Sequence, residues 1–130
     1  MNRVKNARRV DILRHMEIMT AIDCFSGLAQ QTRLEAFRLL VRAEPDGLAA
    51  GEIARQLDIP HNTMSAHLTT LARAGLVSSR RDRRSIIYRA DLTRVQQLLR
   101  YLVRDCCDGR AEVCQPLLRS LVDQDTTSHS

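Results

Sequence analysis

The stretch from Gly51 to Arg89 limits the possible folds more than any other part of the chain, because an ordered series of structural signals runs through it. A short helix pattern, a break at a proline, a second helix pattern, a glycine stop and two alternating strands follow one another without interruption. In chain order these are Gly51–Leu57, Asp58–Pro60, His61–Ala74, Gly75, and Leu76–Arg81 with Ser85–Arg89 around the turn Asp82–Arg84. This order predicts a helix-turn-helix with a wing, a shape that reads duplex DNA.

The composition favours a small basic domain with an aliphatic core. At 130 residues the chain is expected to form one domain, and its hydrophobic content of 44% is enough for a core. Aromatic residues make up only 3%, so Leu, Ile, Val, Met and Ala must fill that core. The net charge is +5, and all but one of the 20 basic residues are arginine. Such a balance favours a polyanionic partner, because binding to it releases condensed counterions.

The N-terminal residues and the apolar runs bear on the cellular compartment. No apolar run approaches the ~18 residues that span a bilayer, and the charged N-terminus lacks the apolar region of a signal peptide. We therefore expect a cytoplasmic protein with no membrane partner. Because thiols stay reduced in the cytoplasm, the four cysteines are interpreted as ligands or buried thiols before disulfides.

The helix and strand patterns predict a mainly α fold with a small β-hairpin wing. We expect a flexible N-terminal arm at 1–9, a winged-helix domain for DNA binding and dimerisation at 10–108, and a C-terminal tail at 109–130 with a disordered end. Further predicted elements are a helix over Val10–Leu28 interrupted near Ser26-Gly27, a helix over Gln31–Ala43 with a stripe of Leu34, Phe37, Leu40 and Val41, a minimal strand at Leu48-Ala49, and a helix over Leu92–Asp105.

The second helix of the pair and the hairpin turn supply the candidate DNA contacts. Off the core stripe of Met64, Leu68 and Leu71, the helix carries short or polar side chains that can approach base edges and phosphates in a major groove. Arginines on a narrow hairpin suit phosphates or a minor groove. The predicted contacts are His61, Asn62, Thr63, Ser65, Ala66, His67 and Thr69 on the helix, and Arg80, Arg81, Arg83 and Arg84 on the wing. The simpler alternatives are a helical domain with a solvated basic hairpin, and for His67 a half-buried surface histidine.

Two motifs in this region resemble a known family. SAHLTTLARAGLV at 65–77 is very similar to the recognition-helix motif of ArsR-type winged-helix repressors, and LAQQTRLEAFRLLV at 28–41 matches an upstream pattern of the same family. The resemblance covers roughly residues 18–105. It implies a homodimeric repressor whose first and last helices form the dimer interface, with recognition residues at Asn62, Thr63, Ser65, Ala66 and His67. A two-fold dimer would read an imperfect palindrome in double-stranded operator DNA.

A cysteine cluster just past the last strong helix pattern is the candidate sensor. Cys106, Cys107 and Cys114 lie within nine residues, near Gly109, which lets the chain fold back. Thiolates select soft ions, and trivalent arsenic or antimony takes three sulfurs in a pyramid, whereas tetrahedral zinc needs a fourth ligand. Incidental thiols remain an alternative, as does a redox disulfide from Cys114 to one of the adjacent pair. Cys24, beside Phe25 on an apolar helix, is expected to be a core thiol.

The family resemblance also bears on which residues bind the effector and on which ion they bind. Several relatives bind arsenic through a Cys-x-Cys pair at the first helix of the DNA-binding pair, where this chain has LAAGEIA and no cysteine. Zinc-type relatives place Asp and His on the last dimer helix, where this chain has Asp91 but no His. The C-terminal adjacent cysteines resemble an arsenite-responsive subgroup, in which five residues separate the pair from the third cysteine. Here six do, so the adjacent pair matches the subgroup and the spacing to Cys114 departs from it by one residue.

The sequence therefore predicts an arsenic(III)-responsive repressor, released from DNA when arsenic or antimony binds Cys106, Cys107 and Cys114. The alternatives are a redox- or organoarsenical-sensing repressor on the same fold and an effector-independent DNA-binding protein. We expect no enzymatic activity and no catalytic cofactor, because the chain has no nucleophile–base arrangement, phosphate-binding glycine loop or carboxylate pair in a plausible context.

Overall fold

Helices and strands follow one another in the order that the sequence predicts. The computed structural model describes residues 16–105, 115–116 and 119–120. Its elements are α1 (Ile18–Leu28), α2 (Gln31–Arg42), β1 (Leu48–Ala49), α3 (Ala50–Leu57), α4 (His61–Arg73), β2 (Val77–Asp82), β3 (Ser85–Ala90) and α5 (Leu92–Arg100), followed by a π-helical turn at Tyr101–Asp105. The fold is mainly α with a small β wing, as predicted. The predicted arm at 1–9 and the predicted cysteine ligands at 106, 107 and 114 lie outside the described residues.

Residues Glu17–Gln96 form one compact unit, and Gln97–Asp105 belong to a second. In the first unit, mainly aliphatic side chains from α1 to α4 and from the base of the wing form the core, as the shortage of aromatic residues requires. The largest fully buried side chains are Leu40, Ile53, Met64, Leu68, Leu71, Leu76 and Cys24. No helix in the described part of the chain is long and apolar enough to cross a membrane.

The turn between α3 and α4 forms where the sequence places it. Asp58 ends α3 in the left-handed conformation (φ 54°), and the Ile59 N–H donates to the Ala54 carbonyl at 2.9 Å. Pro60 then stands directly before α4, where its missing N–H costs nothing because helix starts leave their first N–H groups unpaired. The two helices of the pair therefore meet at a short corner that is closed by backbone hydrogen bonds.

Gly75 ends α4 as predicted. Its φ is 77°, and the N–H of Leu76 donates to the Leu71 carbonyl at 3.0 Å, the six-residue closure typical of a helix that ends in a left-handed residue. A Cβ atom at this position would lie 2.8 Å from Nε of Arg94. The chain therefore leaves the helix in a fixed direction and enters the wing.

The wing is the long arm of a three-stranded antiparallel sheet with the order β1-β3-β2. Leu48 pairs with Tyr88, so the predicted minimal strand is confirmed, and Val77 pairs with Ala90 at the base of the hairpin. At its tip Asp82 pairs with Ser85, which leaves a turn of two residues rather than the predicted three. Arg83, the first of them, has a positive φ of 58°, since a two-residue hairpin turn needs a left-handed residue there.

Three predicted helix features are wrong. α1 begins at Ile18, after an extended Glu17, so it is not part of a continuous helix from Val10. Ser26-Gly27 does not interrupt α1, which runs through to Leu28. Gly27 is buried, and a Cβ there would lie 3.2 Å from Cδ1 of Leu76, so this glycine allows close packing within a helix rather than a break. On α2, Leu34 and Val41 are exposed, and Ala36 is buried beside Phe37 and Leu40 in the chain's core. The buried face is therefore rotated from the stripe that spacing alone suggests.

Candidate nucleic-acid interface

Helix α4 has one buried face and one polar face. Met64, Leu68 and Leu71 are completely buried, at the spacing of three and four residues that puts them on one side of a helix. The predicted contact residues lie off this stripe. His61, Asn62, Thr63, Ala66 and Thr69 are exposed, and Ser65 and His67 are half-buried. The residues of α4 that the sequence predicts to contact DNA therefore lie on or near the side of the helix that is accessible to solvent.

The N-terminus of α4 carries no side-chain cap. Pro60 is the capping residue, and it has no side-chain hydrogen-bond acceptor for the first turn. The N–H groups of His61, Asn62 and Thr63 are among those that an α-helix cannot pair internally. Exposed N–H groups with the positive end of the helix dipole suit a phosphate oxygen.

The threonine hydroxyls on α4 are already used as donors. Oγ1 of Thr69 donates to the carbonyl of Ser65 at 2.9 Å, and Oγ1 of Thr70 donates to the carbonyl of Ala66 at 3.2 Å. A hydroxyl has a single hydrogen, so each oxygen keeps only its acceptor capacity. In this conformation Thr69 can accept from a base amino group or place its methyl against a thymine methyl, and it cannot donate to a phosphate.

A groove separates α4 from the wing and brings several predicted residues together. From α4 it is lined by His61, Ser65 and Thr69, and from the wing by Arg84, Ser85 and Ile86. Ala49, Ala50 and Gly51, where β1 passes into α3, and Tyr88 close it. Ile86 is exposed and adds apolar surface to the groove, next to the polar side chains from α4 and the wing. The groove therefore brings predicted DNA contacts of α4 and of the wing together on one surface.

The four wing arginines are not equivalent. All are exposed, but Arg80 and Arg81 are consecutive residues of β2, so their side chains leave opposite faces of the sheet. Arg80 also donates from Nη2 to the backbone carbonyl of Asp46 at 3.2 Å. Arg83 and Arg84 form the turn itself, beyond the last strand pair. The tip arginines are therefore the freest of the four to meet a phosphate.

Glu52, near the start of α3, is the carboxylate closest to the beginning of the helix pair, and its charge is balanced by an arginine of the same helix. Glu52 accepts hydrogen bonds from Arg55 and from Nε2 of Gln56 in α3. These bonds, that from Arg55 first, lower the pKa of Glu52 to about 2. The carboxylate thus stays ionised at neutral pH, and its charge is balanced by Arg55. Such pairing reduces the repulsion that an isolated carboxylate at this end of the helix pair would exert on a phosphate backbone.

Arg33, in the first turn of α2, makes a contact with α4 that the sequence reasoning missed. Its Nε donates to the Gly27 carbonyl at 2.7 Å, and its Nη2 donates to the Ser26 carbonyl at 3.3 Å. Nη1 lies 3.5 Å from Nδ1 of His67 on α4. Arg33 lies in the family motif at 28–41, and that motif was the one sign in the sequence that Arg33 has a role. The spacing of residues within a helix does not show which side chain of another helix an arginine contacts.

Cys24 is a core thiol, as predicted. It is fully buried, and its Sγ donates to the carbonyl of Ala74, the residue that ends α4, at 3.5 Å. Burial raises the pKa of the thiol, with Arg94 acting in the opposite direction. A protonated, enclosed thiol is a poor nucleophile and a poor metal ligand.

The described residues contain no group of three or more His, Cys, Asp or Glu side chains close enough to hold a metal ion. Asp91 accepts from the Arg94 N–H at 3.0 Å and so caps the start of α5. The predicted ligands Cys106, Cys107 and Cys114 lie beyond the part of the chain that the structure describes.

Comparisons with known proteins agree with this geometry. A family of helix-turn-helix domains matches residues 28–80. Among curated proteins, the transcriptional activator HlyU of Vibrio cholerae is 29% identical over 89 residues, which cover 68% of this chain and 80% of HlyU. The nodulation protein NolR of Rhizobium meliloti is 30% identical over 86 residues, which cover 66% of this chain and 68% of NolR.

Two solved structures show the same fold. An ArsR-like transcriptional regulator from Rhodococcus is 25% identical, with a TM-score of 0.61 over 82% of this chain and 92% of its own. The homodimeric winged helix-turn-helix DNA-binding domain of Mb0332 from Mycobacterium bovis, described as a possible ArsR-family regulator, is 26% identical, with a TM-score of 0.56 over 72% and 82%. From the two-faced helix, the wing and these relatives together, the chain belongs to the ArsR-type family of winged helix-turn-helix proteins and is a DNA-binding transcriptional regulator.

Proposed function

We propose that this regulator is a homodimeric repressor that leaves its operator when trivalent arsenic or antimony binds Cys106, Cys107 and Cys114. The observation that carries the DNA-binding part is the division of α4 into a buried apolar face and an accessible polar face beside an arginine-tipped wing. The cysteine cluster in the sequence carries the effector part. The two parts are separate in the chain, so they can be tested separately.

In this proposal α4 enters the major groove and the wing follows the phosphate backbone. The short side chains of Asn62, Ser65 and Ala66 allow close approach to base edges, while the tip residues Arg83 and Arg84 contact phosphates. The proposed contacts are His61, Asn62, Thr63, Ser65, Ala66, His67 and Thr69 with Arg80, Arg81, Arg83 and Arg84. Arg80 contributes less than the tip arginines, because its guanidinium already holds the Asp46 carbonyl.

Exposed apolar side chains on the first and last described helices support the dimer. On α1, Ile18, Met19 and Ile22 are 60%, 63% and 48% exposed, and Phe25 is also exposed. On α5 and the π-helical turn that follows it, Leu92, Leu99 and Leu102 are exposed as well. Contiguous apolar side chains on a helix face are typical of a surface that another protein covers. The homodimeric Mb0332 domain shows that a relative assembles in pairs, and a two-fold dimer would place its recognition helices roughly 34 Å apart.

Soft-ligand chemistry supports the effector. Three thiolates suit trivalent arsenic or antimony, and a buried thiol such as Cys24 does not compete with them for the ion. The cluster follows directly on the π-helical turn that continues α5, a proposed dimer helix. Drawing the three sulfurs together would act on that helix and shift the spacing of the recognition helices. Release requires that the ion bind the off-DNA state more tightly than the DNA-bound state.

A fluorescence-anisotropy titration tests the proposal. The operator is a duplex selected by the wild-type protein from random sequences, and the complex is treated in parallel with arsenite, antimonite, cadmium, zinc and peroxide. We expect arsenite and antimonite to release the DNA and the others not to. Release by peroxide alone would instead identify a redox sensor. If the protein kept its DNA in all five treatments, it would be a DNA-binding protein without an effector of these classes.

The wing arginines should act through phosphates. Replacing Arg83 and Arg84 by alanine should weaken binding to operator and unrelated duplexes alike, and the slope of log K against log salt should fall by roughly 0.9 for each phosphate that is no longer neutralised. The measurement is the salt dependence of the dissociation constant between about 50 and 200 mM salt. The control is Arg38→Ala/Arg42→Ala on α2, which removes the same charge from exposed positions outside the proposed interface. Equal slopes for the wing variant and the wild type would contradict this role.

Arg83 also offers a matched variant that separates charge from backbone strain. A non-glycine residue with φ 58° costs roughly 1 kcal/mol, which glycine avoids. Arg83→Gly should therefore raise the thermal stability of the hairpin while lowering DNA affinity as Arg83→Ala does. If both variants bound DNA as the wild type does, the side chain of Arg83 would have no part in binding.

A further inference from the structure

Arg33 holds its guanidinium in one orientation by two backbone carbonyls at the end of α1. Nε donates to the Gly27 carbonyl at 2.7 Å, and Nη2 donates at 3.3 Å to the Ser26 carbonyl, which also accepts the N–H of Ala29. Arg33 itself is placed by the helix start, since its own N–H donates to Oε1 of Gln30 at 2.8 Å. A guanidinium is a rigid planar fork, so two fixed bonds determine the direction of the remaining N–H groups.

The free edge of that guanidinium faces His67 on the recognition helix. Nη1 of Arg33 lies 3.5 Å from Nδ1, at the long end of the hydrogen-bonding range. An arginine carries only donors, so in this contact Nδ1 must be the acceptor. The single proton of the neutral ring then sits on Nε2. His67 is half-buried, which leaves part of its ring accessible.

We infer that Arg33 is a positioning residue for sequence reading, which holds the ring of His67 so that Nε2–H is a fixed donor toward the DNA. The inference rests on the DNA-binding part of the proposed function. A fixed donor pairs with acceptor atoms, which in the major groove are N7 and O6 of guanine, N7 of adenine and O4 of thymine, and it disfavours the amino groups of adenine and cytosine. His67 thus contributes to discrimination through a residue on another helix, and Arg33 does so without itself contacting a base.

A double-mutant cycle on the selected operator and on a scrambled duplex tests the coupling. Arg33→Lys keeps the positive charge but not the fork, so it should weaken operator binding about tenfold or more and leave scrambled binding unchanged. In the His67→Ala background the same change should cost less than twofold. Arg38→Lys, an exposed arginine on the same helix, should change neither affinity. Equal losses from Arg33→Lys in both backgrounds, or on both duplexes, would overturn the inference, because they indicate a general structural or charge effect.

A second measurement needs neither DNA nor an Arg33 variant. Long-range proton–nitrogen correlation spectra of the ¹⁵N-labelled wild-type protein, at about pH 8 where imidazoles are ordinarily neutral, show which ring nitrogen carries the proton. The His67 signals are identified by their absence from the spectrum of His67→Ala. A proton on Nε2 with Nδ1 bare is the expected result, and a proton on Nδ1 would refute the contact. This measurement uses no DNA. It therefore tests the contact between Arg33 and His67 even if the protein selects no operator and the proposed function fails.

Discussion

A double variant with Cys106→Ser and Cys107→Ser should bind operator DNA as tightly as the wild type and stay bound when arsenite is added. The predicted reader lies at His61–Arg73, far along the chain from these cysteines, so apo binding should not change. A serine hydroxyl is harder and far less acidic than a thiol, so it does not replace a thiolate on arsenic. For the wild type, a coupling free energy of about 1–3 kcal/mol corresponds to a roughly 5- to 150-fold loss of affinity in arsenite.

Single variants refine this result in the same anisotropy titration. Cys114→Ser should abolish release if three sulfurs hold the ion, and should only weaken release if the adjacent pair suffices. Cys24→Ser is the matched control, because Cys24 is buried in the core and should retain release with some loss of stability from a polar group in an apolar site. Normal arsenite release from the double variant would exclude the proposed sensor. Loss of release in Cys24→Ser alone would move the sensor into the core.

Leu68→Ala should lower the free energy of unfolding by about 2–5 kcal/mol, a large part of the roughly 5–15 kcal/mol that holds a domain together. Leu68 is fully buried in the middle of α4, and its removal leaves a cavity between that helix and the core. The measurement is urea unfolding followed by circular dichroism. Wild type and variant are compared at equal protein concentration, because a dimer's stability depends on it.

Ser65→Ala, three residues away on the polar face of the same helix, is the control. Ser65 is half-buried and lines the groove between α4 and the wing, so its loss should change stability by no more than about 0.5 kcal/mol. It should cost operator affinity on the order of 1–3 kcal/mol if its hydroxyl contacts a base, with non-specific binding nearly intact. A result in which both variants lowered stability equally would show that the two faces of α4 are not functionally distinct.

Local signals in the chain were sufficient for the order and type of the elements. The proline after Ile59 and the glycine at position 75 act through backbone geometry, so they mark the end of α3 and of α4 without reference to the rest of the molecule. The spacing of Met64, Leu68 and Leu71 likewise identified a core face, and hence the polar face opposite, because only one side of a surface helix can be buried. The fold class and most of the candidate reader therefore followed from the sequence by itself.

Only the tertiary structure decided which neighbours each helix meets. Spacing placed Leu34 and Val41 on the buried stripe of α2, but the core admits Ala36 instead and leaves both exposed. Gly27 resembles a helix breaker locally, yet it lies inside α1, where a Cβ would lie only 3.2 Å from the side chain of Leu76 and 3.3 Å from that of Ala74. The contact between Arg33 and His67 joins residues 34 positions apart, and the two-residue turn at Arg83 depends on strand register. These features arise from long-range packing and pairing, which no local pattern of residue types encodes.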